Sequence, residues 1–525
     1  MSTSVFEIIG PVMVGPSSSH TAGMARIGMM AHRIIDEEPR AIRLTLSPKL
    51  RTTYSGHRTD AALFGGTIGC KEDGPELRNA IKLAHERGID TSVDFLPEGQ
   101  YPQNTAKITV TCGDGKQYSV LGTSIGGGSI VISEVDGAAI SLSPDACHVI
   151  VWGSGGLSET LCQGAASCQK GQGANGYVTA LTYLKQPSAD TLAALTAAPN
   201  VTKVSLVQPV LAYGVSLPGH KVYSSCEQAC TEAAEQGMSL AEIAIEYEMS
   251  RSGFSRAAVV GRMHEHLERM RLSVEQGAGE NKLLYGLASG KDAKLLSEAV
   301  AAGKTISGGI VPEAVAMALG VMELNGSMGC IVAAPTAGSS GIVPGCMMAI
   351  QKKYHFTDKQ LVDALFVSAL LGVIMAERNI SYSGSVGGCQ GEVGISSSIA
   401  AAGLASLFSD DPNVIVHAMA LCLKNLLGLV CDPIAGPIEV PCIKRNAVGV
   451  TLLETLVSFL LVFLLSLLTA VLLWLSPGLS RTLEPYLVVL NSLPKSALAP
   501  LLIVWLGATR TTIIVAGMSV AIFGK

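Results

Sequence analysis

The chain has 525 residues, a formal net charge of −5 and 57 glycines. This length predicts two to four domains with sizeable cores, and the mild charge excludes a general attraction to nucleic acid or anionic lipid. Thirteen cysteines without a C-x-x-C pair, and no N-terminal stretch typical of a signal peptide, predict reduced thiols in a cytoplasmic compartment.

The first 140 residues predict a mixed α/β domain. A helix is expected after the serine-rich loop at 15–21, with Ser19 or Thr21 as its N-cap. Alternating apolar residues at 42–46 and 107–111 predict strands, and residues 76–88 have helical periodicity that ends on a glycine.

Residues 145–215 predict a compact unit with the order strand, helix, strand, strand, helix, strand. The expected strands include 148–152, 176–184 and 201–207, and the expected helices lie near 157–168 and 188–197. This order resembles a small ligand-sensing domain of the ACT type, although other ferredoxin-like domains share the pattern. Cys162 and Cys168 are expected to pack inside this unit.

From 222 to 449 the pattern becomes helical, and glycine-rich loops separate the helices. Helical spacing occurs at 239–249, 252–277, 312–324, 358–374 and 414–427. His264 and His266 lie two apart on a strongly charged helix, and we expect both to be solvated.

The last part of the chain has a different composition. Residues 456–475 contain no charge, and about twenty apolar residues span the hydrocarbon core of a bilayer as a helix. Shorter apolar stretches follow at 497–506 and 511–523. Lys444 and Arg445 before the first stretch favour a cytoplasmic N-terminal side.

Two loops are candidates for binding a small anionic molecule. The loop at 15–21 offers backbone N–H groups and three serine hydroxyls before a helix, which suits a carboxylate or a phosphate. The loop at 335–341 has the same character but lacks the lysine of a phosphate-binding P-loop, so nucleotide binding is disfavoured. Serine-rich caps without any ligand are also common, so a purely structural role stays open.

One histidine and three cysteines are candidates for chemistry. His57, within the sequence Gly-His-Arg-Thr-Asp, is either an acid–base residue or a hydrogen-bonded structural histidine. Cys389, Cys431 and Cys442 sit among glycine and proline rather than in apolar stretches. Their long spacing matches no zinc-finger or ferredoxin pattern, so metal binding and simple packing both remain possible from the residues alone.

Five stretches together resemble a known family. They are IIGPVMVGPSSSHTAG, YSGHRTDAALFGG, APTAGSSGIVPG, SVGGCQGEVG and LLGLVCDPIAGPIEVPCIKRNAVG. Residues 1–449 resemble the bacterial iron–sulfur-dependent L-serine dehydratases, or L-serine ammonia-lyases, with the family's β and α parts fused in one chain.

The resemblance implies a [4Fe–4S] cluster held by Cys389, Cys431 and Cys442, whose open iron acts as a Lewis acid on the hydroxyl of L-serine. Pyruvate and ammonia are the implied products, and no pyridoxal phosphate is needed. The implied catalytic residues are His57, Ser19 and His20. The implied substrate-binding residues are Ser17, Ser18, Ser19, Thr21, Thr336, Gly338, Ser339 and Ser340. A homodimer through the dehydratase part is also implied.

The chain departs from the dehydratase pattern near residue 449. Residues 450–525 resemble a fragment of an inner-membrane permease of the nitrate, sulfonate and taurine ABC transporters, with Pro494, Lys495, Pro500 and Gly507 as the recognisable points. The fragment is too short for a transport path. We therefore expect the tail to tether a cytoplasmic catalytic part to the inner membrane.

The expected organisation has four parts and mixed fold classes. A dehydratase β-type domain (1–140) and an ACT-like domain (145–215) make an α+β N-terminal part with a ferredoxin-type subdomain. A mostly α-helical catalytic domain (222–449) and C-terminal transmembrane helices (450–525) follow. The alternative is an inactive or chimeric membrane protein, a serine-sensing or permease-related component without lyase turnover.

Overall fold

A computed structural model describes residues 2–99, 101–211, 213–305, 307–378, 380–382, 384–430, 439 and 442–451. The expected transmembrane stretch at 456–475 and the permease-like residues lie outside this part. Among the described helices, one at Asp358–Glu377 is long and apolar enough to cross a membrane, but 78% of its apolar window is buried inside the protein. Such burial is typical of the core helix of a folded domain.

The N-terminal part is an α/β unit built on a six-stranded sheet. The six strands of this sheet are β2 (Pro39–Leu46), β3 (Asp90–Phe95), β4 (Thr105–Cys112), β5 (Gln117–Gly126), β6 (Ser129–Val135) and β7 (Ala138–Leu142). A further strand of this part, β1 (Val12–Val14), lies outside the sheet. The helices of this part are α1 (Val5–Ile8), α2 (Gly23–Ile35), α3 (Thr59–Thr67) and α4 (Ala80–Glu86). The sheet order is β3-β2-β4-β5-β6-β7, in which β2 and β3 are parallel and the other neighbours antiparallel.

The predicted strands at 42–46 and 107–111 are confirmed within β2 and β4. The predicted N-cap of the following helix is wrong, because Ser17 takes that role. Its side chain accepts a hydrogen bond from the His20 backbone N–H, and a π-helical turn (Ser18–Ala22) continues directly into α2.

Helices α2 and α3 cross at two glycines. A Cβ at Gly66 would lie 2.0 Å from the Ala25 carbonyl oxygen, and a Cβ at Gly28 would lie 2.5 Å from the Leu63 carbonyl oxygen. Only residues without a side chain allow the two backbones to approach this closely. Because α2 follows the serine loop and α3 follows His57, this crossing brings the two segments together.

The next unit has the βαββαβ order of ferredoxin-like domains. Its elements are β8 (Cys147–Gly153), α5 (Glu159–Cys162), β9 (Ser167–Gly173), β10 (Gly176–Tyr183), α6 (Ala189–Thr196) and β11 (Val201–Val207). The antiparallel sheet order is β11-β8-β10-β9. The helix expected at 157–168 is only α5, one turn long, because residues from Ser167 onward pair with β10. Ligand sensing of the ACT type stays a prediction.

The C-terminal half is helical, and most of the predicted helices are confirmed. Its helices are α7 (Cys226–Gln236), α8 (Leu240–Ser252), α9 (Arg256–Gly277), α10 (Asp292–Ala301), α11 (Val311–Gly326), α12 (Ile342–Tyr354), α13 (Asp358–Glu377), α14 (Gly384–Cys389), α15 (Ile395–Ser406) and α16 (Pro412–Asn425). Residues 442–451 are also helical, and β12 (Cys330–Val332) lies between α11 and α12. Buried side chains of α13, including Leu365, Phe366 and Leu370, fill the centre of this half.

The two halves share a core and a strand pair. Phe6 and Ile8 of α1 belong to the same apolar cluster as α13, and β1 pairs antiparallel with β12. His266 of α9 lies at this boundary, so its predicted solvation is wrong. It is buried, its Nδ1 lies 2.7 Å from the Ile9 carbonyl oxygen, and burial lowers its pKa to about 4.

Candidate active site

The serine loop folds back on itself and contacts the segment that carries His57. Ser17 Oγ lies 3.1 Å from His20 Nδ1 and accepts from the His20 backbone N–H at the same distance. The Thr21 hydroxyl donates to the His57 carbonyl oxygen at 2.7 Å. Ser18 and Ser19 are buried. The loop is therefore a rigid turn at the start of α2 rather than a solvated cap.

His20 and His57 form a pair of stacked rings. Their centroids are 4.8 Å apart, and both side chains are partly buried. Burial, with a smaller repulsion from His57, lowers the pKa of His20 to about 3, and burial also lowers the pKa of His57. Both rings are therefore neutral near pH 7. His57 Nδ1 lies 3.1 Å from the Thr53 carbonyl oxygen, which can only accept, so Nε2 carries the lone pair.

Asn104 is a member of this group that the sequence analysis missed. Its buried side chain partly opposes the effect of burial on the pKa of His20. The chain positions it through β4, whose first residue is Thr105. Only the pairing of β4 in the sheet brings Asn104 to the serine loop.

The second predicted loop follows β12 and is fully buried. The Ser339 hydroxyl donates to the Ala334 carbonyl oxygen at 3.2 Å, and the Ser340 hydroxyl donates to the Ala337 carbonyl oxygen at 2.9 Å. Ser339 Oγ also lies 3.1 Å from Thr336 Oγ1. These hydroxyls bond within the loop and hold its shape, so its backbone N–H and carbonyl groups are the ones available to bind another molecule.

Glu392 lies against this loop, and the sequence analysis did not single it out. A Cβ at Gly338 would be 3.0 Å from Glu392 Oε2, so the carboxyl group packs on the backbone of Gly338. Burial raises the pKa of Glu392 to about 7, while a hydrogen bond with Thr336 opposes that shift. A carboxyl with this pKa can hold or release a proton at neutral pH. In the sequence, the position of Glu392 three residues after Cys389, a predicted cluster ligand, could have pointed to it.

The cysteine segments converge on Arg445. Its Nη1 donates to the buried Cys389 Sγ and, at 2.7 Å, to the carbonyl oxygen of Val430, the residue before Cys431. Cys442 begins the helix at 442–451 that carries Arg445. Cys431 itself lies outside the described residues. Cys389 and the residue before Cys431 therefore meet at one guanidinium, which belongs to the helix that Cys442 begins.

Asn446 joins the cysteine helix to the Thr336 loop. Its fully buried side chain accepts from the Gly341 N–H at 3.0 Å and donates to the carbonyl oxygens of Gly338 and Cys442, both at 2.8 Å. The loop, Glu392, Cys389 and Cys442 thus form one connected group.

The group around the serine loop and the group around the Thr336 loop lie at one boundary between the halves of the molecule. Ala22, directly after Thr21, and Ala337, directly after Thr336, pack in one buried apolar cluster with Met13. The Tyr285 hydroxyl adds a second link, because it donates at 2.8 Å to the carbonyl oxygen of Ser55, near His57. The structure therefore draws the predicted site residues that it describes into two neighbouring groups.

Comparisons with known proteins find similar sequences for both halves of the chain. Residues 235–454 match the protein family described as Serine dehydratase alpha chain. The Bacillus subtilis protein named Probable L-serine dehydratase, alpha chain, is 40% identical over 215 residues, which are 41% of this chain and 71% of that protein.

Two further relatives extend the similarity beyond the helical half. The B. subtilis protein named Probable L-serine dehydratase, beta chain, is 43% identical over 150 residues, 28% of this chain and 67% of its own length. Escherichia coli L-serine dehydratase 2 is 27% identical over 475 residues, 85% of this chain and 87% of its own length. By these similarities, the chain belongs to the L-serine dehydratase family.

Proposed function

We propose that this chain is an L-serine ammonia-lyase that converts L-serine to pyruvate and ammonia. The observation that carries the proposal is the meeting of the Cys389, Val430 and Cys442 segments at Arg445, beside the buried Thr336 loop. The names of the relatives support L-serine as the substrate.

The donor set fits an iron–sulfur cluster. Thiolates are the usual protein ligands of such clusters, and Arg445 favours the thiolate form of Cys389 by donating to its sulfur. We propose that Cys389, Cys431 and Cys442 hold a [4Fe–4S] cluster. When bound, a cluster with three protein ligands supplies a Lewis acid for the hydroxyl of L-serine.

The remaining residues have roles that follow from their positions. The serine loop at the start of α2 presents backbone N–H groups and the positive end of the helix dipole, which suit the carboxylate of L-serine. His57 has an available lone pair on Nε2, and Glu392 has a pKa of about 7, so each can accept a proton at neutral pH. His20, stacked on His57, holds that ring in place.

The proposal is tested by anaerobic purification, iron–sulfur reconstitution and measurement of pyruvate release from L-serine. Cys442→Ser should lose most of the bound iron and all detectable pyruvate release. Cys330→Ser is the matched control, because Cys330 is also partly buried but lies on β12 away from Arg445. Wild-type chain that binds iron without releasing pyruvate would favour the alternative of a serine-sensing protein, and full activity of Cys442→Ser would refute the cluster assignment.

Membrane attachment and dimerisation are separate proposals. The uncharged stretch at 456–475 supports tethering to the inner membrane, with the catalytic part in the cytoplasm. The permease-like character of 450–525 rests on sequence resemblance alone. Fractionation of cells into membrane and soluble parts, repeated with a chain that ends at residue 451, tests the tether. Light scattering of the detergent-solubilised chain tests the homodimer.

A further inference from the structure

A pair of cysteines lies in the ferredoxin-like unit, in a different part of the molecule from the proposed cluster. Cys162 is the last residue of α5, and Cys168 is the second residue of β9. The Cys168 thiol donates to Cys162 Sγ at a sulfur–sulfur distance of 3.0 Å. Both side chains were predicted to pack inside the unit, but Cys168 is exposed and Cys162 only half-buried.

The surroundings of the pair leave both sulfurs close to solvent. No residue of α5 is fully buried, and residues 163 and 164 after it are exposed. Cys162 packs only partly against the apolar cluster beneath the sheet. Two thiols in contact at an exposed site can react with a small molecule without unfolding of the domain, whereas buried cysteines are inert.

We propose that Cys162 and Cys168 are a redox-sensitive modification site, which closes to an intramolecular disulfide by exchange with a low-molecular-weight disulfide. Cys168 donates the hydrogen bond between the two sulfurs, so Cys162 Sγ, its acceptor, is the attacking sulfur once its own proton has left. It forms a mixed disulfide and releases one thiolate, which takes up a proton. Cys168 then loses its proton, attacks Cys162 Sγ and releases the second thiol. Two cysteine thiols are thereby oxidised, and one small disulfide is reduced to two thiols.

The bond requires little movement of the backbone. The two sulfurs must approach from 3.0 Å to about 2.05 Å, the length of a disulfide bond. The strand that carries Cys168 is already fixed, since the adjacent Gln169 exchanges two hydrogen bonds with the backbone of Ser141 on β7. Oxidation therefore ties the short helix α5 to the strand that docks this unit on the N-terminal sheet.

The test is a thiol map of the full chain after anaerobic incubation with oxidised glutathione. The protein is quenched in acid, alkylated and cleaved after Trp152 and after Lys170, so that the pair lies in the peptide 153–170, apart from Cys147 and from the cysteines that follow. We expect the peptide with Cys162 and Cys168 to lack two hydrogens and to take up no alkyl group, and dithiothreitol should restore two alkylation sites. We expect this reaction to be at least about tenfold faster than modification of Cys230 on α7.

Variants assign the roles of the two sulfurs. The Cys168→Ser variant should accumulate a glutathione adduct on Cys162 and react no further. The Cys230→Ser variant should form the disulfide between Cys162 and Cys168 as the wild type does. Circular dichroism confirms that each variant is folded. The proposal is overturned if both cysteines of the wild type remain open to alkylation, or if each one carries glutathione without a bond between them.

Discussion

At the scale of single residues, Asn446 makes the connection on which the proposed cluster site depends. Three backbone groups bond its side chain, and two of them, the Gly341 N–H and the Gly338 carbonyl, belong to the Thr336 loop. The loop bonds most of its own hydroxyls internally, so Asn446 fixes its distance from Cys442. A residue with no reactive group therefore determines the geometry of the reactive ones.

We predict that Asn446→Ala lowers the free energy of unfolding by about 2–3 kcal/mol, because it leaves buried backbone groups without partners. Urea denaturation of the purified chain measures the change. Asn425→Ala is the matched control, since Asn425 is exposed and bonds only the Leu421 carbonyl, one turn earlier in α16. Equal effects of the two substitutions would contradict the importance of the buried bonds.

The two stacked histidines predict a pH dependence of stability. The folded protein holds the pKa of His20 at about 3, against about 6.5 in an unfolded chain. The unfolded state therefore binds an extra proton as the pH falls. The contribution of His20 to the free energy of unfolding is complete above pH 6.5 and decreases toward pH 3, by about 1.4 kcal/mol for each pH unit within that window.

We expect His20→Gln to reduce the change in the free energy of unfolding between pH 7.5 and pH 5, as measured by urea denaturation. His417→Gln, at an exposed histidine on α16, should leave that change as it is in the wild type. A variant at His20 that retained the full change would show that other groups cause the acid sensitivity.

Some candidate site residues could be singled out in the sequence and others could not. The serine hydroxyls were candidates because they are contiguous, the cysteines because glycine and proline surround them, and His20 through the family resemblance. Asn104 comes from a strand distant in sequence, and its role depends on sheet pairing. Glu392 was visible in the sequence, but its raised pKa depends on burial against Gly338, which only tertiary packing creates.

At the scale of elements, the crossing of α2 and α3 positions the two histidines. The serine loop leads into α2, and His57 lies two residues before Thr59, the first residue of α3. The distance between the helices is set at Gly28 and Gly66, where the backbones touch. Any increase in that distance separates His20 from His57.

We predict that Gly66→Ala destabilises the protein by about 2–3 kcal/mol, because the new methyl group would lie 2.0 Å from the Ala25 carbonyl oxygen. Pyruvate release should fall more than stability alone explains, since the histidine pair is displaced. Gly261→Ala is the control on the exposed face of α9, where an added Cβ meets nothing within 4 Å. That substitution should raise stability by about 0.5–1 kcal/mol through helix propensity.

A Gly66→Ala variant that is at least as stable as the wild type would contradict the close helix crossing. Thermal melting of both variants beside the wild type gives the comparison. Activity is measured at a temperature where all three chains remain folded.

Long helices were predictable because their apolar spacing persists over several turns. The helix expected at 157–168 was wrong for a physical reason. Residues 165 and 166 are alanines, which fit a helix locally, but Gly164 has a φ of 86° that interrupts it, and strand pairing with β10 binds Ser167 and the residues after it. Backbone hydrogen bonds in a sheet outweigh the weak local preference of such a segment.

At the scale of the whole molecule, the N-terminal and helical halves are held together by buried contacts. Ile8 of α1 packs against Gly372 of α13, and Phe6 lies in the same core. Because separate α and β chains exist among the relatives, this interface should hold without a covalent connection.

We predict that residues 1–215, carrying an affinity tag, will co-purify residues 222–525 when the two pieces are expressed together. Ile8→Asp in the tagged piece should abolish co-purification, because it places a charge in the buried interface. Leu184→Asp is the control, at a residue that is half-exposed on the ferredoxin-like unit. If the pieces fail to associate, the connecting chain itself is needed to join the halves.

The pairing of β1 with β12 also constrains how the protein is made. The Val14 N–H donates to the Glu72 carbonyl oxygen within the N-terminal half, but the strand partner of residues 12–14 is residues 330–332, which leave the ribosome after that whole half. β1 therefore has no strand partner while the six-stranded sheet folds. During synthesis the nascent chain therefore presents an open strand edge beside the serine loop until β12 arrives, and the segments that carry Cys389 and Cys442 follow only after that.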